Sequence, residues 1–317
     1  MRVLITGITG FVGGHLAERL LAAGGCAVAG IARHATWPAS LAHLSGNVEL
    51  IAADIHDGLA VADVLKRLRP DAICHLAGYA STGKSFVDPA GCWYANLDGT
   101  RALYDAVALS GVRPRILFAS TGLVYGDPEP GTDSLDEHAP LKPASPYAAS
   151  KAAADLLSYQ LARHPGLDIV RVRLFNQIGP RQSADFAVAN FARQIAAAEA
   201  GRQGPELTTG DLSAWRDFTD VRDMAEALRL LLAHGETGEA YNAGSGRVWR
   251  MRDVLQSLVG LARVPVTVRE QADPARPADT AVSKANPAKL KACTGWVPKY
   301  ELHQTLADTL DYWRNVG

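Results

Sequence analysis

Residues 6–20 read TGITGFVGGHLAERL, and an apolar run, RVLIT, leads directly into them. Gly7, Gly10 and Gly13 stand at GxxGxxG spacing, with Thr9, Phe11 and Val12 between them. The run before the first glycine predicts a strand, and the pattern from about Phe11 predicts a helix. Glycines at such a junction allow a tight turn and let backbone approach a pyrophosphate closely. The helix start offers unpaired N–H groups and a partial positive charge. Strand, glycine turn and helix together predict a dinucleotide site, where glycines alone would be weak evidence.

The same alternation continues along the chain. RVLITG (2–7), AVAGIA (27–32), VELIAAD (48–54), AICHLAG (72–78), RILFAST (115–121) and DIVRVRLFN (168–176) read as strands, with helical patterns between them. Near-unbroken apolar strands separated by helices predict an α/β fold, a doubly wound parallel sheet of the Rossmann type. After Asn176, prolines and glycines crowd the chain. The expected organisation is a dinucleotide-binding domain of residues 1–177 plus 217–248. A smaller C-terminal substrate-binding lobe takes 178–216 plus 249–317. In the tail, HQTLADTLDYWRNVG sets Leu306, Leu310 and Trp313 on one stripe and predicts a closing helix.

Composition narrows the function classes. A net charge of −1 over 317 residues gives no basis for nucleic-acid or membrane attraction. No apolar run reaches the length of a span, and MRVLITG does not read as a signal peptide because Gly7 interrupts it. The four cysteines, Cys26, Cys74, Cys92 and Cys293, have no metal-ligand spacing. Reduced thiols in a cytoplasmic protein without a metal are expected.

About twenty residues beyond the glycines, where an NAD site usually carries Asp or Glu for the ribose, this chain has IARHA. Arg33 suits a 2′-phosphate, which favours NADP(H) and leaves NAD(H) possible. A solvated arginine at a strand end is the alternative. Asp54 and Ile55, after the third strand, are candidates to flank the adenine; Asp54 could equally cap the next helix.

Two further segments carry candidate chemistry. FASTGLVYG (118–126) ends a buried strand on Ser120 and Thr121, followed by Gly122 and Leu123. SPYAASKAAAD (145–155) opens a helix with Ser145 at its cap and Pro146 at its first position. Tyr147 and Lys151 then share one face at i and i+4. A free tyrosine titrates near pH ~10, and an adjacent ammonium is expected to favour its phenolate. The plainer reading is a surface pair.

TGITGFVG, FASTGLVYG and YAASK, in that order, resemble the extended short-chain dehydrogenase/reductase family and its nucleotide-sugar branch. HLAGYASTGKSFVDP, RLFNQIGPRQ, RDFTDVRDMAEAL, YNAGSGR and RPAD are similar to segments of that branch, so the likeness spans nearly the whole chain. The resemblance implies Thr121, Tyr147 and Lys151 as the catalytic set. It implies Leu76, Ala77 and Gly78 beside the cofactor, with Tyr147 and Lys151 also touching it. It places Ser81, Asn176, Arg181, Arg216 and Arg276 at a nucleotide-sugar substrate, although each arginine could be a structural ion-pair partner. A homodimer is likewise implied.

Within that branch the segments look most like enzymes acting on GDP-mannose and its 4-keto-6-deoxy product. Dehydratases there carry an acid two residues after the catalytic threonine, as T-S-E or T-D-E; this chain has T-G-L, with Leu123 in that place. They also have FNHESPRR where this chain has FNQIGPRQ, so Gln177 replaces a histidine. The expectation is therefore NADPH-dependent reduction of the C4 ketone of GDP-4-keto-6-deoxy-D-mannose, to GDP-D-rhamnose or its C4 epimer. A GDP-mannose 4,6-dehydratase, a nucleotide-sugar 4-epimerase and a non-catalytic NADP sensor are the alternatives.

Overall fold

The computed structural model describes residues 1–271 and 282–316. Strand β1 (Arg2–Thr6) runs into helix α1 (Phe11–Ala23), as the opening motif predicts. Strands β2 (Ala27–Ala32), β3 (Val48–Ala52), β4 (Ala72–His75), β5 (Arg115–Thr121) and β6 (Ile169–Leu174) follow. The predicted ends at Asp54, Gly78 and Asn176 are trimmed because the chain turns out of the sheet there, where the site-bearing loops begin. The interleaved helices are α2 (Gly58–Leu68), short α3 (Thr82–Ser85) and α4 (Pro89–Trp93), α5 (Gly99–Ser110) and α6 (Pro146–Arg163).

Beyond β6 lie β7 (Asn176–Ile178), α7 (Ala187–Glu199), β8 (Glu206–Thr209), β9 (Trp215–Asp220), α8 (Val221–His234) and β10 (Ala240–Ala243). Then come β11 (Val248–Arg250), α9 (Met251–Gly260), β12 (Thr267–Glu270), β13 (Val282–Ser283), α10 (Ala288–Thr294) and α11 (Leu302–Val316).

The large sheet has seven strands in the order β10-β6-β5-β4-β1-β2-β3, every pair parallel. This is the doubly wound α/β arrangement. Its strand order reverses between β1 and β4, which opens a crevice at their carboxyl ends. One face buries α1 and α8 against Val3, Ile5 and Val172, and the other buries α2, α5 and α6 against Leu4, Ile73 and Phe118. Of the segment expected to return to the first sheet, α8 and β10 do so, while β9 stays with β11, β13 and β7 in a second sheet. A separate core joins α7, α9 and α11 through Phe191, Leu255, Leu306 and Leu310, with Trp313 packed against it.

Candidate active site

The glycine turn is shaped by close approach. Gly7 adopts φ +74°, and a Cβ there would sit 2.7 Å from the Ala77 nitrogen. A Cβ on Gly13 would come within 2.3 Å of the Gly7 carbonyl. Gly10 caps α1 without a side-chain bond, and the first turn of α1 holds no acid. The N–H groups there are thus open to an anion, beside half-buried Thr9, Phe11 and Val12. These features fit the pyrophosphate of a dinucleotide.

Arg33 is exposed beyond β2. Its positive charge reaches Asp54, whose carboxyl is held below the usual range chiefly by bonds from the His56 backbone and ring. Asp54 does not cap α2; Asp57 does, accepting from the Ala60 nitrogen. Ile55 packs against the α2–α5 core.

Leu76, Ala77 and Gly78 leave β4 toward α6. Two side chains fix this stretch: Thr6 accepts from the Ala77 nitrogen at 3.2 Å, and Asn96 accepts from the Tyr79 nitrogen at 2.8 Å. Asn96 lies in a π-helical turn (Tyr94–Asp98) and donates to Ser150 on α6 at 2.9 Å. Gly78 has φ +157°, and a Cβ on it would lie 2.6 Å from the Asn96 carbonyl oxygen and 3.5 Å from Lys151 Nζ. Ser81 caps α3, and Ser85 in that helix accepts from the Tyr147 nitrogen at 3.2 Å.

The expected catalytic set converges. Thr121 ends β5 and caps a 3-10 turn (Gly122–Tyr125), accepting from the Leu123 nitrogen at 3.3 Å. Ser145 caps α6 and Pro146 opens it, and Tyr147 and Lys151 both reach β5, at Thr121 and Ala119. Lys151 donates to the Ala119 carbonyl at 2.8 Å and lies 5.2 Å from the centre of the Phe118 ring. Burial lowers its ammonium to about 8, against the pull of Cys92 and Asp155.

Tyr147 corrects one expectation. Burial pushes its phenol up to about 12, a hydrogen bond with Thr121 opposes that, and the Lys151 charge is not among the causes. The phenol is therefore an intact O–H donor at neutral pH.

The remaining substrate candidates divide. Asn176, half-buried at the start of β7, donates to the Asp217 carbonyl at 3.3 Å. Arg216 is buried on β9 and donates to the Trp215 carbonyl. Arg181 is turned elsewhere: both of its terminal nitrogens bond Glu18 of α1 at 2.6 Å, and one also meets His15 at 2.8 Å. That pairing, with φ +74° at Arg181, ties the crossover after β7 to α1 and leaves the sugar-contact expectation without support. Arg276 lies outside the described residues. All four cysteines are free, and no cluster of metal-ligating side chains occurs among the described residues. No described helix is long and apolar enough to cross a membrane.

Sequence reading passed over Asn96 and Asp155. Asp155 had a visible signal, being the i+8 partner of Tyr147 in SPYAASKAAAD. Asn96 had none, because its role depends on a π turn.

The GDP-mannose 4,6-dehydratase family matches residues 4–309. The chain belongs to that family. It is thus a member of the extended short-chain dehydrogenase/reductase group that includes nucleotide-sugar epimerases and dehydratases. It is 34% identical to the GDP-6-deoxy-D-mannose reductase of Pseudomonas aeruginosa, over 99% of this chain and 97% of that one. The solved structure of RMD from Pseudomonas aeruginosa complexed with NADPH superposes with a TM-score of 0.85 at 33% identity, covering 99% of both chains. The UDP-glucose 4-epimerase of Thermus thermophilus, in complex with NAD, superposes with a TM-score of 0.88 at 34% identity, covering 100% of both.

Proposed function

We propose that this family member uses NADPH to reduce the C4 ketone of GDP-4-keto-6-deoxy-D-mannose, giving GDP-D-rhamnose or its C4 epimer. The observation that carries the reading is Leu123. It occupies the turn two residues past Thr121, where the dehydratase pattern has an acid. A hydrocarbon cannot move the protons that elimination requires, whereas ketone reduction needs no group there. The full-length likeness to a GDP-6-deoxy-D-mannose reductase supports the same reading.

In this proposal Gly7, Thr9, Gly10, Phe11, Val12 and Gly13 receive the pyrophosphate, Arg33 the 2′-phosphate, and Asp54 and Ile55 the adenine side. Leu76, Ala77 and Gly78 line the nicotinamide end. The bound cofactor supplies the hydride. Tyr147, a half-buried phenol that keeps its proton at pH 7, donates that proton to the oxygen developing at C4. Thr121 hydrogen-bonds the same oxygen. Lys151 holds the ribose from the same face of α6. Ser81, Asn176, Arg216 and Arg276 remain the proposed nucleotide-sugar contacts, with 178–216 and 249–317 as the substrate lobe.

Incubation with NADPH and GDP-4-keto-6-deoxy-D-mannose tests the assignment: stoichiometric loss of NADPH is expected, and its absence overturns it. The likeness to an NAD-bound epimerase favours a second reading, C4 epimerisation with a retained cofactor. NAD held by the purified protein through gel filtration would select that reading.

A further inference from the structure

Tyr147, Lys151 and Asp155 follow one another at four-residue steps along α6. Asp155 is fully buried, a costly place for a carboxylate unless it is paired. It accepts from Arg171 Nη1 at 2.6 Å and from Arg173 Nε at 3.1 Å, both arginines projecting from β6. Arg173 also donates to the Tyr125 hydroxyl at 2.8 Å, and that hydroxyl donates to Asn242 on β10 at 2.7 Å. Tyr125 closes the 3-10 turn that Thr121 begins and that contains Leu123. One carboxylate therefore joins the helix bearing Tyr147 and Lys151 to β6 and, through Arg173 and Tyr125, to the turn that Thr121 begins.

We propose that Asp155 is a positioning residue for the catalytic set, fixing α6 against β6 and the turn after β5 and supplying the anion beside Lys151. The inference deepens the reductase reading and rests on it for the roles of Tyr147 and Lys151. The surroundings of Lys151 single out Asp155. Cys92 faces it from α4, His75 from β4, and the Ala119 carbonyl and Phe118 ring from β5. Tyr147 and Asp155 share its own helix. His75 is held neutral, and Cys92 makes two weak polar contacts, to Ser150 and Asn96. Asp155 is the carboxylate among these groups, and Arg171 and Arg173 stand behind it. The two arginines partly neutralise that anion, so its pull on Lys151 depends on them.

The test uses full-length protein and NADPH binding, followed by nicotinamide fluorescence from about pH 6 to about pH 10, the range that brackets lysine neutralisation. Wild-type affinity is expected to fall on the alkaline side as Lys151 loses its proton. Asp155→Asn moves that midpoint down by roughly one pH unit. Arg171→Gln, which leaves Asp155 less neutralised, moves it up. A structural role alone lowers the melting temperature of both variants and moves neither midpoint, which overturns the proposal. So does a wild type with no alkaline loss. If Asp155→Asn does not fold, Arg171→Gln decides alone, and an unchanged or lowered midpoint counts against the proposal. Because binding is read without a sugar, shifted midpoints in a protein that fails to reduce the ketone would refute the reductase reading and leave Asp155 standing.

Discussion

The Lys151 ammonium donates to the Ala119 carbonyl at 2.8 Å, and this bond pins the middle of α6 to the end of β5, two residues before Thr121. The contact sets the distance between the hydroxyl at the strand end and the phenol one helical turn above. The site is thus assembled by a lysine reaching a strand backbone.

Tyr147→Phe removes only the phenolic oxygen from a half-buried ring. Turnover of the proposed ketone should fall by about 10²–10⁴-fold, the usual contribution of a general acid. NADPH affinity should change little. Steady-state rates and fluorescence titration of the same preparation check both.

Arg33→Ser should weaken NADPH binding by about tenfold or more, the loss of charged hydrogen bonds to a phosphate. NADH, which lacks the 2′-phosphate, should bind as before. Parallel titrations decide it, and equal losses for both cofactors would remove Arg33 from the site.

Leu123 makes a sharper demand. Wild type given GDP-mannose and NADP should form no 4-keto-6-deoxy product. Leu123→Glu should acquire detectable dehydration, read by mass spectrometry of the nucleotide sugar. Dehydration by wild type would show that the leucine had been misread.

Arg181→Ala should act on stability more than on the substrate. It breaks the bidentate bond to Glu18 and the contact to His15, at a cost of about 1–2 kcal/mol for partly exposed partners. Urea denaturation should record that loss while KM for the nucleotide sugar stays constant. A raised KM with unchanged stability would return Arg181 to the substrate.

Acid should destabilise the protein through two buried histidines. Burial, with the Arg181 charge, lowers His15 to about 4, and burial, with the Lys151 charge, lowers His75 to about 3. Both pKa values lie below the unfolded 6.5. The unfolded chain therefore binds more protons below that pH. Their contribution is whole above about pH 6.5 and is lost as pH falls toward 4 for His15 and 3 for His75, at up to about 1.4 kcal/mol per pH unit for each. Urea midpoints at pH 7 and pH 5 should differ accordingly, and His15→Gln should flatten the slope.

Local pattern carried much of the design. The glycine spacing, the apolar strands and the Tyr147–Lys151 step are set by neighbours within one or two turns of chain. They foretold the parallel sheet, the turn at Gly7 and the capped α6, because strand and helix periodicities are local properties. The sequence by itself also reached the family.

Tertiary structure decided the rest, because it depends on groups far apart in the chain. Glu18 and Arg181 are 163 residues apart, so nothing in GPRQ could reveal that its arginine turns to α1. The Tyr147 phenol is pushed up to about 12 by burial, where the motif alone suggested a downward pull, and burial is a property of the packed site. Asp155 sits in the motif itself, yet its meaning came from Arg171 and Arg173 arriving on β6. Chemistry-bearing side chains could be read off the chain; their electrostatics had to wait for the neighbours that folding gave them.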